Sequence, residues 1–94
     1  IIPKFQENST WFGFPVICKD KKFRVKLIKE CKSRGIECRP IVAGNFTNQP
    51  VIERLNHSIK GDLFNAERID ELGIFFGNDS RDLKKQIKNL SEIL

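Results

Sequence analysis

A proline interrupts the most strand-like run of this chain. Residues 11–18, WFGFPVIC, are its longest uncharged apolar stretch. Phe12, Phe14, Val16 and Cys18 alternate along it, which puts them on one face of a strand. Pro15 has no N–H to give to a neighbouring strand, so this strand belongs at a sheet edge or is irregular at that point. At 8 residues the stretch falls far short of the roughly 20 that cross a bilayer.

The rest of the pattern alternates helix and strand. Residues 21–34 read as a helix, with Asp20 as its N-cap and Gly35 ending it in a left-handed conformation. Phe23, Leu27, Ile28 and Cys31 form its apolar stripe, while Lys21, Lys22, Lys26, Lys29 and Lys32 occupy the solvated faces. Residues 36–42 read as a second strand, with Ile36 and Cys38 on one face and Glu37 and Arg39 on the other. A loop at 43–49 leads to Pro50, which suits the first turn of a helix reaching about Ser58. Asn65 is the expected cap of a short helix over 66–72, residues 74–77 a third strand, and Ser80 the expected cap of a last helix over 81–94 with Leu83, Ile87, Leu90 and Leu94 as its stripe. The order β-α-β-α-α-β-α predicts an α+β two-layer sandwich: a small, mostly antiparallel three-stranded sheet with helices on one face.

With 94 residues and 39% hydrophobic content, the chain supports one small core. It contains no Met, so either a start Met was removed or, the reading favoured here, the sequence is a piece of something longer; no secretory apolar segment appears at its start. Cys18, Cys31 and Cys38 are odd in number and match no zinc spacing, so they read as reduced, mostly buried thiols of a cytoplasmic protein. The net charge of +5 is uneven. Residues 1–60 carry 12 basic and 5 acidic side chains (+7), and residues 61–94 carry 5 and 7 (−2). The basic part could attract nucleic acid or a phosphorylated small molecule; a solvated helix face explains it equally.

Catalytic constellations are nearly absent. The single histidine, His57, is expected late in the helix that starts at Pro50, beside Asn56 and Ser58, and reads as a surface residue; no glycine-rich phosphate-binding pattern occurs. The unusual segment is 36–50, IECRPIVAGNFTNQP. Such a strand-to-helix loop brings backbone N–H groups and short polar side chains to the end of a strand. Arg39 offers a planar cationic fork for a carboxylate or phosphate. Asn45, Thr47, Asn48 and Gln49 can bond hydroxyls or amides. By composition alone the same residues also read as a capped turn with no ligand.

The strings WFGFPV, GIECRPIVAGNFTNQP and NAERIDELGIFFGN together resemble the C-terminal domain of the DegT/StrS family, fold type I PLP enzymes of nucleotide-sugar metabolism. The resemblance runs from about Thr10 to the end, so residues 10–94 would be a C-terminal small domain and 1–9 a linker or lead-in segment. Its most specific parts are Arg39-Pro40, Gly44-Asn45-Phe46-Thr47 and Gln49-Pro50, which look most like the sugar 3-dehydratases and their aminotransferase relatives. The turn Phe75-Phe76-Gly77-Asn78 looks more like other members, so both activities stay open.

The resemblance implies a parent enzyme several times longer, a homodimer acting on a nucleotide-linked 4-keto-6-deoxy sugar in deoxysugar and lipopolysaccharide biosynthesis. PLP or PMP would be bound mainly by its N-terminal domain, with a lysine at the cofactor in aminotransferases and a histidine there in 3-dehydratases. This chain would hold no cofactor, metal or catalytic residue and would be inactive alone. Its contribution would be a substrate-binding loop, with Arg39 pairing with a phosphate or orienting the loop and Asn45, Thr47 and Gln49 on sugar hydroxyls. Partners would be the nucleotide-sugar and the parent's own N-terminal domain, with no membrane or nucleic acid. The alternative is a stand-alone module binding RNA or a protein partner. For RNA, the element order lacks a four-stranded βαββαβ arrangement, and Phe12 and Phe14 are expected to face the core. Eight Phe and one Trp are many for so small a core, so Trp11 and some of Phe46, Phe64, Phe75 and Phe76 are expected on an exposed docking patch.

Overall fold

The computed structural model describes residues 1–4 and 6–94. The elements are strand β1 (Gly13–Ile17), helix α1 (Lys21–Ser33), strand β2 (Cys38–Arg39), two short 3-10 turns (Phe46–Asn48 and Pro50–Arg54), helix α2 (Phe64–Leu72), strand β3 (Gly73–Gly77) and helix α3 (Lys84–Ser91). The strands form one antiparallel sheet in the order β1-β3-β2. This is the expected α+β layering. β1 lies at the edge, where Pro15 withholds no ladder bond. Beyond it, Ile1 exchanges both backbone bonds with Ile17, at 3.0 and 2.7 Å.

One face of the sheet builds the core. Val16, Ile74 and Phe76 meet Leu27 and Cys31 of α1, with Cys18 beside them, all buried. Phe14, Phe23, Ile28, Ile36, Leu90 and Ile93 close around this cluster. α1 follows its sequence pattern: Asp20 Oδ1 accepts from the Phe23 N–H at 2.7 Å, and Gly35 takes φ +69° after the last turn. The three thiols are free, with Cys18 and Cys31 buried and Cys38 half-buried. Burial pushes the Cys31 thiol up to about 11, with Cys38 beside it adding to the shift. Burial also raises Cys18, against the lowering effect of Arg24.

Five expectations need correction. The second strand pairs over Cys38–Arg39 only, and the chain leaves the sheet at Pro40. The expected helix over 50–58 is a 3-10 turn ending at Arg54, after which Leu55 is extended and His57 lies beyond any helix. Its few residues include the β-branched pair Val51-Ile52, too short a run to sustain an α-helix. Asn65 lies inside α2, which starts a residue after Leu63; Asp62 Oδ1 accepts from the Phe64 N–H at 3.2 Å. Ser80 does not cap α3 either; Asp82 Oδ1 accepts from the Lys84 N–H at 3.0 Å. Both helices thus open on an Asp-Leu pair whose carboxylate bonds the N–H two residues on. Finally, Phe12 does not face the core. It precedes β1, is 88% exposed, and stacks on Phe75 at 5.5 Å on the sheet face opposite the core, whereas Phe14 packs inward as expected.

Of the aromatics expected on an exposed patch, Phe46 and Phe64 are exposed, Trp11 and Phe75 half-buried and Phe76 buried. Leu90 of α3 and Ile93 just beyond it pack against the core, while Ile87 and Leu94 remain exposed. Among the described residues, no helix is long and apolar enough to cross a membrane.

Candidate functional site

The segment from β2 to the second 3-10 turn is ordered by its own side chains. After Pro40 the chain turns at Gly44, whose φ of +61° is open to glycine at little cost. A β-carbon there would run into the Asp70 carboxylate and lie 2.9 Å from Asp70 Cα, so the loop lies directly against α2. Asn45 is 3% exposed and caps the turn Phe46–Asn48. Its Oδ1 accepts from the Thr47 backbone N–H at 3.1 Å and from the Thr47 hydroxyl at 2.7 Å. Asn48 Nδ2 donates to Asp70 Oδ2 at 3.0 Å. Gln49 sits half-buried between the two turns, its N–H on the Phe46 carbonyl at 3.0 Å. Pro50 opens the second turn, where a missing N–H costs nothing.

Arg39 stands apart from this cluster. Its Nε and Nη2 donate to Glu37 Oε1 at 3.0 and 2.6 Å, on the face away from the core and across the ladder from Phe75. Both side chains are well exposed, at 67% and 76%. They line a hollow of about 190 Å³ together with Phe12, Phe75 and Asn78. A larger groove of about 600 Å³ opens on the other side of the sheet end, between Trp11, Phe14, Phe76, Leu83 and Ile87. The structure therefore joins Asn45 to Thr47, sets Gln49 next to them, and keeps Arg39 on a separate ion pair.

Two features escaped the sequence. Asp70 anchors the loop from a helix 22 residues further along the chain, a relationship with no local signal. The Phe12–Phe75 stack was hidden because alternation assigned Phe12 to the inner face.

No nucleophile and base come together here, and the described residues hold no cluster able to bind a metal ion. They do not fit PLP on their own either. Every described lysine is exposed, His57 is exposed with Nδ1 2.8 Å from the Leu55 carbonyl, and no buried polar side-chain atom lacks a partner.

No family model matches the chain. A GDP-4-keto-6-deoxy-D-mannose 3-dehydratase of Yersinia pseudotuberculosis is 47% identical over 90 residues, 93% of this chain and 23% of that protein. The chain is homologous to the C-terminal region of these 3-dehydratases. The Escherichia coli enzyme of the same name is 40% identical over 90 residues, and the lipopolysaccharide biosynthesis protein RfbH of Salmonella typhimurium is 30% identical over 99, each again matched over 23% of its length. A crystal structure of GDP-4-keto-6-deoxymannose-3-dehydratase with a trapped PLP-glutamate geminal diamine superposes with a TM-score of 0.86 at 38% identity, over 99% of this chain and 25% of that one. The Escherichia coli enzyme with bound hydrated PLP gives 0.87 at 37%, over 100% and 25%. The chain thus spans about a quarter of the length of the relatives it matches.

Proposed function

We propose that residues 10–94 are the C-terminal small domain of a PLP- or PMP-dependent 3-dehydratase acting on GDP-4-keto-6-deoxymannose, with residues 1–9 leading in from the rest of the enzyme. The observation that carries this reading is the 47% identity to a 3-dehydratase over 93% of the chain. All three relatives described above from sequence are 3-dehydratases or RfbH, which favours dehydration over amine transfer. In this reading the cofactor and the residues that react with it belong to an N-terminal domain, and the complete enzyme is a homodimer.

The part played by this chain is to hold the substrate. Arg39 offers its fork to a phosphate oxygen, sharing or exchanging the Glu37 carboxylate it now bonds. Thr47 and Gln49 meet sugar hydroxyls, and Asn45 acts with them by fixing the turn that carries both. Such contacts orient the reacting carbons against the cofactor, which supplies the electron sink when bound.

The test replaces the matching C-terminal segment of the Yersinia enzyme with this chain. The chimaera is expected to consume GDP-4-keto-6-deoxymannose as a 3-dehydratase, and Arg39→Ala in it to lower kcat/KM. A folded, PLP-loaded chimaera without turnover would overturn the reading.

A further inference from the structure

The loop 44–49 is not held by its own bonds alone. Two independent contacts bring it to one residue of α2. Asn48 Nδ2 donates to Asp70 Oδ2 at 3.0 Å. Gly44, with φ +61°, lies so close to Asp70 that a β-carbon there would meet its carboxylate and, at 2.9 Å, its Cα. One contact stands before the Asn45–Thr47 turn and the other at its end, so one residue of α2 meets both ends of the segment, by close approach at Gly44 and by a hydrogen bond at Asn48.

We infer that Asp70 is the positioning residue of the substrate loop: it sets where Thr47 and Gln49 stand relative to the rest of the domain without touching substrate itself. The inference rests on the proposed substrate-binding role of the loop. The carboxylate suits the task because the Asn48 amide donates and a carboxylate oxygen only accepts, so the pair has one orientation. Asp70 also belongs to α2, which runs directly into β3 at the centre of the sheet. Asp70 is therefore tied along the chain to the central strand, which begins at Gly73, and the loop takes its position from there.

The experiment compares Asp70→Ala, which removes the acceptor, with Asp70→Asn, which keeps a carbonyl oxygen for Asn48. Both are made in the complete enzyme that carries this chain. Asp70→Ala is expected to raise KM roughly tenfold with kcat within about twofold, and Asp70→Asn to restore most of the loss. Amide hydrogen exchange at 45–49, read on the same proteins, is expected to quicken in Asp70→Ala and return towards the parent rate in Asp70→Asn. Unchanged exchange in Asp70→Ala would overturn the positioning role, whatever the kinetics. Quickened exchange with unchanged KM would instead overturn the substrate-loop reading, and the inference with it. A rise in KM matched equally in Asp70→Asn would also count against it, because the acceptor would then not be what matters.

Discussion

Asn45 and Thr47 lock each other in place: one carboxamide oxygen accepts from both the backbone N–H and the hydroxyl of the threonine, at 3.1 and 2.7 Å. This is an N-cap made by a buried side chain, added to the turn's own backbone bonds from the Asn48 and Gln49 N–H groups to the Asn45 and Phe46 carbonyls. Asn45→Ala is expected to destabilise the chain by about 1 kcal/mol, the usual cost of losing such a cap. Asn45→Asp keeps the acceptor and is expected to cost less. Denaturant unfolding of the two variants measures the difference; equal losses would mean that the oxygen is not the stabilising group.

Arg39 separates a structural from a functional role. Its bond to Glu37 lies in solvent, so Arg39→Ala is expected to cost less than about 1 kcal/mol of stability. As a phosphate ligand, its loss in the complete enzyme is expected to remove about 1.5–3 kcal/mol of binding, at least a tenfold fall in kcat/KM. Melting temperatures beside steady-state kinetics decide the matter. Unchanged kcat/KM would remove Arg39 from the substrate site.

Gly44→Ala is expected to be more disruptive than either. The added carbon meets Asp70, and alanine is strained at φ +61°. A loss of roughly 1–3 kcal/mol follows, with faster amide exchange across 45–49. A variant as stable as the parent would mean that the loop can lift from α2 freely.

How far the sequence led is clear from the elements it did and did not define. α1 was legible because its stripe, its Asp20 cap and its terminating Gly35 are all local. The edge position of β1 followed from one missing N–H at Pro15. β2 was overread because Ile36 to Val42 look strand-like throughout, yet the pairing ends after two residues, at Arg39. The Asp62 and Asp82 turns leading into α2 and α3 were missed for nearer-looking candidates, although both precede a leucine in the same way. At the candidate site, residue types were readable and their arrangement was not. Nothing local says that Asn45 turns inward or that Asp70 reaches Asn48.

Cys31 gives a pH signature. Its thiol rises from an ordinary value of 9.0 to about 11 in the fold, mainly through burial. The unfolded chain therefore releases this proton first as pH rises, and the fold loses stability between about 9 and 11. Below that window the thiol is neutral in both states and contributes no pH dependence. The comparison is with Cys31→Ala, which isolates the thiol: the stability advantage of the parent is expected to shrink as pH rises through the window. A constant difference would mean that the thiol ionises in the fold as readily as outside it.

The last prediction concerns the isolated chain. Phe12 is 88% exposed, Val42 90%, Phe64 66% and Ile87 62%, a large apolar display for a domain of this size. In the proposed enzyme part of that surface is covered by the N-terminal domain. Alone, the chain is expected to self-associate at micromolar concentration, to bind no PLP, and to turn over no sugar nucleotide. Sedimentation velocity and PLP absorbance titration check the first two. Phe12→Lys is the sharper probe, because Phe12 stands outside the core and its exchange for a charge removes the most exposed aromatic among the described residues without opening a cavity. This variant is expected to keep the melting temperature within a few degrees and to shift the population towards monomer. If it melts like the parent and associates as strongly, the face carrying Phe12 and Phe75 is not the adhesive one, and the groove beside Ile87 takes its place. A parent chain that stays monomeric throughout would mean that the exposed side chains are too scattered to act as a surface.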